Sequence, residues 1–177
     1  MRAAFIGRFQ PPHWGHFKAM EWALGRAEEL VVVIGSAQYN YILKDPFTAG
    51  ERIWMLREGS REAGLDLSRL IFIPLENIPN NAAWASHLLS YVPPIDVAYT
   101  NNAFVQLLLR SAGIAAEPTP VLDRERYRST YIRELMLKGD ERWRELVPKS
   151  VAEIIDRVKG VERLRIAAMG EAEPHRW

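Results

Sequence analysis

Short apolar runs alternate along the chain with stretches whose apolar residues recur every three or four positions. Ala3 to Gly7 is the first run, and a helical pattern from Gly15 to about Glu29 follows, with Phe17, Met20 and Leu24 on one face. Leu30 to Gly35 is apolar without alternation, as in a strand covered on both faces of a parallel sheet. Thr48-Ala49-Gly50-Glu51 has the form of a capping box and predicts a helix through Ile53, Leu56 and Arg57. A third strand is expected at Leu70 to Pro74, a short helix from Ala82 to Tyr91 ended by Pro93-Pro94, and a fourth strand at Ile95 to Tyr99. Ala103 to Ser111 is helical and stops at Gly113, and Ile114 to Glu117 gives a fifth strand. Beyond it the strand signal ends. Ser129-Thr130 opens a helix that ends near Gly139, and Ser150-Val151-Ala152-Glu153 reads as a second capping box, for a helix through Val158.

Repeated βα units predict an α/β fold: one Rossmann-like, doubly wound parallel sheet of about five strands flanked by helices, with a C-terminal helical segment. A single domain is expected over 1–169, its C-terminal helical part at about 129–169, with a loose tail at 170–177. Ligands of such sheets bind beyond the carboxyl ends of the strands, where strand order reverses, so the loops after strands one to four should line one crevice.

The 177 residues suit one domain with a full core. Lys and Arg number 23 against 22 Asp and Glu, a balance that points to neither a nucleic-acid nor a membrane surface. The absence of cysteine removes disulfides, thiolate metal sites and cysteine nucleophiles. Arg2 leads directly into a strand-like run and no apolar stretch reaches membrane-spanning length, so no signal peptide and a cytoplasmic location are expected.

The chemistry concentrates in Gly7-Arg8-Phe9-Gln10-Pro11-Pro12-His13-Trp14-Gly15-His16. A strand, a short loop and a helix start form an anion site, because the first-turn N–H groups point outward at the positive end of the helix dipole. Two imidazoles and Arg8 add donors suited to a polyphosphate. Neither G-x-x-x-x-G-K-[ST] nor G-x-G-x-x-G is present, so a P-loop and a glycine-fingerprint dinucleotide domain are not expected. Zinc is disfavoured, since His87 and His175 are the other histidines. Arg133, three residues after Thr130, joins Ser129 and Thr130 in a second anion site, on the view that it lies in the first turn of a helix capped by one of those hydroxyls.

His13-Trp14-Gly15-His16 resembles the H-x-G-H signature of the nucleotidylyltransferase superfamily. Gly7 to Pro11, Gly35-Ser36-Ala37-Gln38, Asp45 to Arg52 and Ser129-Thr130-Tyr131-Ile132-Arg133 resemble, in order, blocks of its nicotinamide-nucleotide adenylyltransferase branch of archaeal type. Pro12 stands where that pattern usually has an aromatic residue, and Lys44 where some members have a phosphate-binding arginine; lysine keeps the charge and loses the bidentate fork.

The resemblance implies transfer of AMP from ATP to nicotinamide mononucleotide, giving NAD and pyrophosphate, with magnesium carried by the phosphates rather than by protein ligands. It makes His13, His16, Arg8 and Arg133 catalytic, and places Gly7, Phe9, Gly15, Asn102, Ser129 and Thr130 with them around ATP. It puts Phe9, Gln10, Ser36, Gln38, Lys44, Asn81 and Trp84 around the mononucleotide, with Trp84 stacking on the pyridinium and Asn81 meeting the carboxamide. Arg52 on the capped helix reads as structural, and Arg124, Arg126 and Arg128 as a solvated face. Trp84, Leu88 and Tyr91 also share helical spacing and could be core, and Asn102 could be an N-cap. A homo-oligomer is implied, with archaeal relatives suggesting a hexamer. The rival readings are a sister adenylyltransferase acting on phosphopantetheine or flavin mononucleotide, a non-catalytic nucleotide-sensing module, and a zinc hydrolase.

Overall fold

The computed structural model describes residues 1–170. Beyond Gly170, the tail expected at 170–177 lies outside the described residues. The strands are β1 (Arg2–Gly7), β2 (Glu29–Ile34), β3 (Leu70–Pro74), β4 (Val97–Tyr99) and β5 (Ala116–Glu117). The helices are α1 (Trp14–Leu24), α2 (Ala49–Glu62), α3 (Trp84–Tyr91), α4 (Ala103–Ser111), α5 (Ser129–Leu137), α6 (Lys149–Arg157) and α7 (Gly160–Ala168). Short 3-10 turns occupy Leu67–Arg69, Asn81–Ala83 and Glu141–Leu146. Among the described residues no helix is long and apolar enough to cross a membrane.

The chain divides into two compact units. The first, residues 1–8, 18–38 and 66–121, holds the sheet, whose strands run parallel in the order β3-β2-β1-β4-β5. The order reverses between β1 and β4, so the carboxyl ends of these two strands adjoin at the switch point. β2, with strands on both sides, is sealed from Leu30 to Ile34, which explains its unbroken apolar run. Ala4, Val31, Val33 and Ala98 of the sheet pack with Ala85 and Leu88 of α3, Leu109 of α4, Leu75 and Ala116.

Local signals set several boundaries. Asn102 caps α4, its Oδ1 accepting from Phe104 N at 3.0 Å and Val105 N at 3.2 Å. The tail of α1 stops at Leu24, five residues before the expected end. The Arg69 guanidinium takes up the emerging carbonyls of Leu24 (2.7 Å) and Ala27 (2.6 Å).

The second unit, residues 9–17, 39–65 and 122 onward, is helical. The box at the start of α2 forms as expected: Thr48 Oγ1 accepts from Glu51 N, and Glu51 Oε1 accepts from Thr48 N. The second expected box does not form. α6 begins at Lys149, with Ser150 already inside the helix and its Oγ buried without a partner. The carboxylate of Glu62 takes the place of the serine, accepting from Lys149 N at 2.9 Å and Ser150 N at 2.7 Å. A carboxylate satisfies two orphan N–H groups at the positive pole of the helix, where one hydroxyl satisfies one. α7 is not separately legible in the sequence; Lys159, in the left-handed conformation (φ 55°), divides it from α6.

Candidate functional site

In the first unit β1 ends at Gly7, whose carbonyl accepts from Gly35 N at 2.8 Å, and Arg8 follows as an exposed residue. The histidine-bearing turn belongs to the second unit. Phe9 is buried in the left-handed region (φ 55°), a conformation that a bulky residue holds only when its surroundings enforce it. Enforcement comes from Gln10, only 1% exposed. Its Nε2 donates to Phe47 O at 3.0 Å and its Oε1 accepts from Phe47 N at 2.9 Å, a side-chain copy of a strand bridge. Two carbonyls of the turn are also held: Gln10 O accepts from Arg133 Nη1 at 2.8 Å, and Pro11 O from Ser129 Oγ at 2.9 Å.

The imidazoles of His13 and His16 stack with ring centroids 3.7 Å apart. His13 N donates to His16 Nδ1 at 3.1 Å, while His13 O accepts from His16 N at 2.9 Å. The first bond is one half of a capping box, with an imidazole where a glutamate usually sits, and the second is an ordinary backbone turn. The first makes Nδ1 of His16 the lone-pair nitrogen and leaves the ring proton on Nε2, a donor. Phe9 meets the His16 ring edge-on at 4.8 Å, and Tyr127 lies parallel to His13 at 6.4 Å. Burial pushes the His13 imidazole down to about 3. Burial, and then the neighbouring His13, hold His16 well below its ordinary value. Both rings are therefore neutral near pH 7. Gly15 permits the pairing, since a Cβ there would stand 2.9 Å from His13 Cε1 and 3.1 Å from Tyr127 Cβ.

Ser129 is the first residue of α5. The N-cap, Arg128, makes no side-chain cap bond, and the Ser129 hydroxyl is turned to Pro11 instead. The expected hydroxyl cap is thus absent, because a distant carbonyl captures that group. Thr130 is exposed. Arg133 lies one turn further along α5 than expected and is buried, one arm of its fork fixed on Gln10 O. Arg124, Arg126 and Arg128 are exposed. Lys44 is exposed in the second unit, in a turn closed by Asp45 N donating to Ile42 O at 3.1 Å.

The remaining candidates sit in the first unit. Ser36 is buried in the left-handed region (φ 50°), and its Oγ accepts from Asn77 Nδ2 at 3.0 Å. Gln38, exposed, clips the Asn77 backbone in both directions, Nε2 to Asn77 O at 3.1 Å and Asn77 N to Oε1 at 2.9 Å. Trp84 begins α3 and is half-buried against the core, Leu88 is fully buried, and Tyr91 is exposed, so the three do not form one core stripe. Asn81 is exposed in the 3-10 turn before Trp84. The sequence reading missed Tyr127 and Asn77. An aromatic residue two positions before Ser129 and an asparagine just past the third strand were the available signals.

Among the described residues no group of three or more His, Asp or Glu could hold a metal ion. The Gln10 amide is walled in and bonded at both ends to Phe47, and so shapes the turn.

Comparison with known proteins adds a second line. The cytidylyltransferase-like family matches residues 4–135, a span that includes the histidine-bearing turn and Arg133. The nicotinamide-nucleotide adenylyltransferase of Caldivirga maquilingensis is 63% identical over 177 residues, covering 100% of this chain and 99% of the relative. That of Pyrobaculum arsenaticum is 59% identical over the same length, also covering 100% of this chain and 99% of the relative. A bifunctional NMN adenylyltransferase/ADP ribose pyrophosphatase from Francisella tularensis, solved with AMP and a manganese ion, shares the fold. Its TM-score is 0.72 at 19% identity, over 93% of this chain and 52% of that one, so this chain spans about half of that protein.

Proposed function

Because the chain belongs to the cytidylyltransferase-like family, we propose that it transfers AMP from ATP to nicotinamide mononucleotide, forming NAD and releasing pyrophosphate. The names of its full-length archaeal relatives support that choice of substrates. One observation carries the chemistry: two stacked neutral imidazoles at a helix start, with His16 fixed as an Nε2–H donor.

The nucleophile is a phosphate oxygen that is already anionic, so no general base is needed. Catalysis rests on alignment and on donors aimed where charge develops on the α-phosphorus and the leaving group. His13 and His16, with Arg8 and Arg133, supply those donors. Gly7, Phe9, Gly15, Ser129 and Thr130 shape the triphosphate path, and Asn102 adds a contact for adenosine while capping its helix. Neutral rings accept a polyanion without a prior charge to desolvate, and the anion then favours proton uptake by the pair. Trp84 stacks on the pyridinium, Asn81 meets the carboxamide, Lys44 reaches the mononucleotide phosphate, and Phe9, Ser36 and Gln38 line its path. ATP enters as its magnesium complex, the metal held by phosphates and water. The two units are read as one nucleotidylyltransferase domain over 1–169, acting in the cytoplasm as a homo-oligomer.

The test is pyrophosphate release from ATP with each of nicotinamide mononucleotide, phosphopantetheine and flavin mononucleotide. Release with the first alone is expected. Release with either of the others instead would assign a sister activity, and nucleotide binding without any release would leave a sensing module.

A further inference from the structure

Residues 41–48 carry Lys44, yet this segment does little to hold itself. Two of its three internal backbone bonds are long, Tyr41 N to Pro46 O at 3.3 Å and Ile42 N to Asp45 O at 3.4 Å, and only Asp45 N to Ile42 O, at 3.1 Å, is of ordinary length. Tyr41 moreover sits in the left-handed region (φ 55°), which a tyrosine does not adopt unaided. The restraint comes from α7, more than a hundred residues later in sequence. Arg163 Nη1 donates to Pro46 O at 3.0 Å and to Glu51 Oε1 at 2.7 Å, and Nη2 donates to Glu51 Oε2 at 2.9 Å. The guanidinium carbon lies 3.9 Å from the centre of the Tyr41 ring, a close cation–π stack.

This fork is shielded, with the Arg163 and Glu51 side chains 10% and 16% exposed. Glu51 is the same carboxylate that closes the capping box of α2. Burial pushes Glu51 up, but hydrogen bonds from Arg163 and Thr48 outweigh it and hold the carboxyl below its usual range. One turn earlier on α7, Gly160 fits so closely against Phe47 that a Cβ there would stand 2.6 Å from Phe47 Cε1. Phe47 is the residue whose backbone Gln10 clips. One face of α7 therefore backs the segment at Tyr41, Pro46, Phe47 and Glu51, and leaves Lys44 projecting.

We infer that Arg163 is a positioning residue for the mononucleotide: its guanidinium sets residues 41–48 so that Lys44 meets the mononucleotide phosphate. The inference rests on the substrate assignment above, and its two readouts separate the two ideas. Arg163→Met and Arg163→Lys are made in the full chain, with Arg144→Met as control. Arg144 forks onto Asp156 in the same unit at 2.7 and 2.9 Å, and none of its contacts reaches residues 41–48.

Arg163→Met is expected to raise KM for the mononucleotide about tenfold or more while KM for ATP and kcat stay within about threefold. Amide hydrogen exchange over 41–48 should quicken in the same variant. Arg163→Lys should fall between, keeping a charge over Tyr41 and losing the fork. Arg144→Met should leave all of these unchanged. Unaltered exchange over 41–48 in Arg163→Met, or a parallel rise in both KM values, overturns the inference. Should Arg163→Met fail to fold, Tyr41→Leu removes the stacked ring alone and is held to the same two outcomes. If the wild-type chain makes no pyrophosphate with the mononucleotide, the substrate assignment falls, and exchange still decides whether Arg163 sets the segment.

Discussion

The turns that follow β1 and β2 are built on one plan and finished differently. Each has a left-handed, non-glycine residue two positions past its strand, Phe9 in one and Ser36 in the other. Each is then pinned by a glutamine whose amide clips the backbone of another segment in both directions, Gln10 on Phe47 and Gln38 on Asn77. The first clip is sealed and the second lies in water. A sealed clip is rigid because its release would strand two backbone groups away from solvent, whereas an exposed clip can be exchanged for water or a ligand at small cost. Under the function proposed above, the rigid turn carries the imidazoles that would face the triphosphate, and the soft one lines the path assigned to the mononucleotide.

The sharpest way to break this contrast is at the imidazoles. His16→Ala is expected to lower kcat by about a hundredfold to a thousandfold while changing ATP affinity only a few-fold, since its donor counts most as charge develops. Steady-state turnover beside equilibrium nucleotide binding checks this, and an unchanged kcat would remove His16 from the chemistry. Next comes the sealed clip. Gln10→Leu should cost about 2–4 kcal/mol in denaturant unfolding, because the Phe47 N–H and C=O lose their partners in a buried place.

The histidines also set an acid limit. His13 has an ordinary value near 6.5 in the unfolded chain and about 3 when folded. Above pH 6.5 neither state is protonated and the burial has no pH-dependent cost. Below it the unfolded chain takes up a proton that the folded chain refuses, so stability falls with pH from 6.5 toward 3. Between pH 7 and 5, before the carboxylates titrate, His13→Asn should remove a loss of about 2 kcal/mol, read from unfolding curves at the two pH values. The smallest effect belongs to the exposed clip: Gln38→Leu should cost about 0.5–1 kcal/mol. If the two glutamine variants proved equally costly, the distinction between a rigid and a soft turn would disappear.

What could be read in the sequence was what neighbours in the chain decide. The five strands, the Thr48–Glu51 box and the Asn102 cap all depend on groups within a few residues of one another. The same holds for the closeness of His13 and His16, three residues apart at a helix start. Errors fell where a partner arrives from far away. Ser129 looked like a cap and bonds a carbonyl 118 residues distant. Ser150 looked like a cap and was displaced by a carboxylate 88 residues distant. Nothing local to Gln10 reveals that Phe47 takes both ends of its amide. Tyr127, Asn77 and Arg163 escaped for the same reason, since each matters through residues that only folding brings close.

The carboxylate that starts α6 is itself badly placed in its own helix. Glu62 is the final residue of α2, where the helix dipole is negative and a second negative charge is unwelcome. Joined to the first N–H groups of α6, that charge bridges the negative end of one helix to the positive end of another, and two local misfits cancel. The two helices should accordingly melt together, with neither surviving as a separate step on heating.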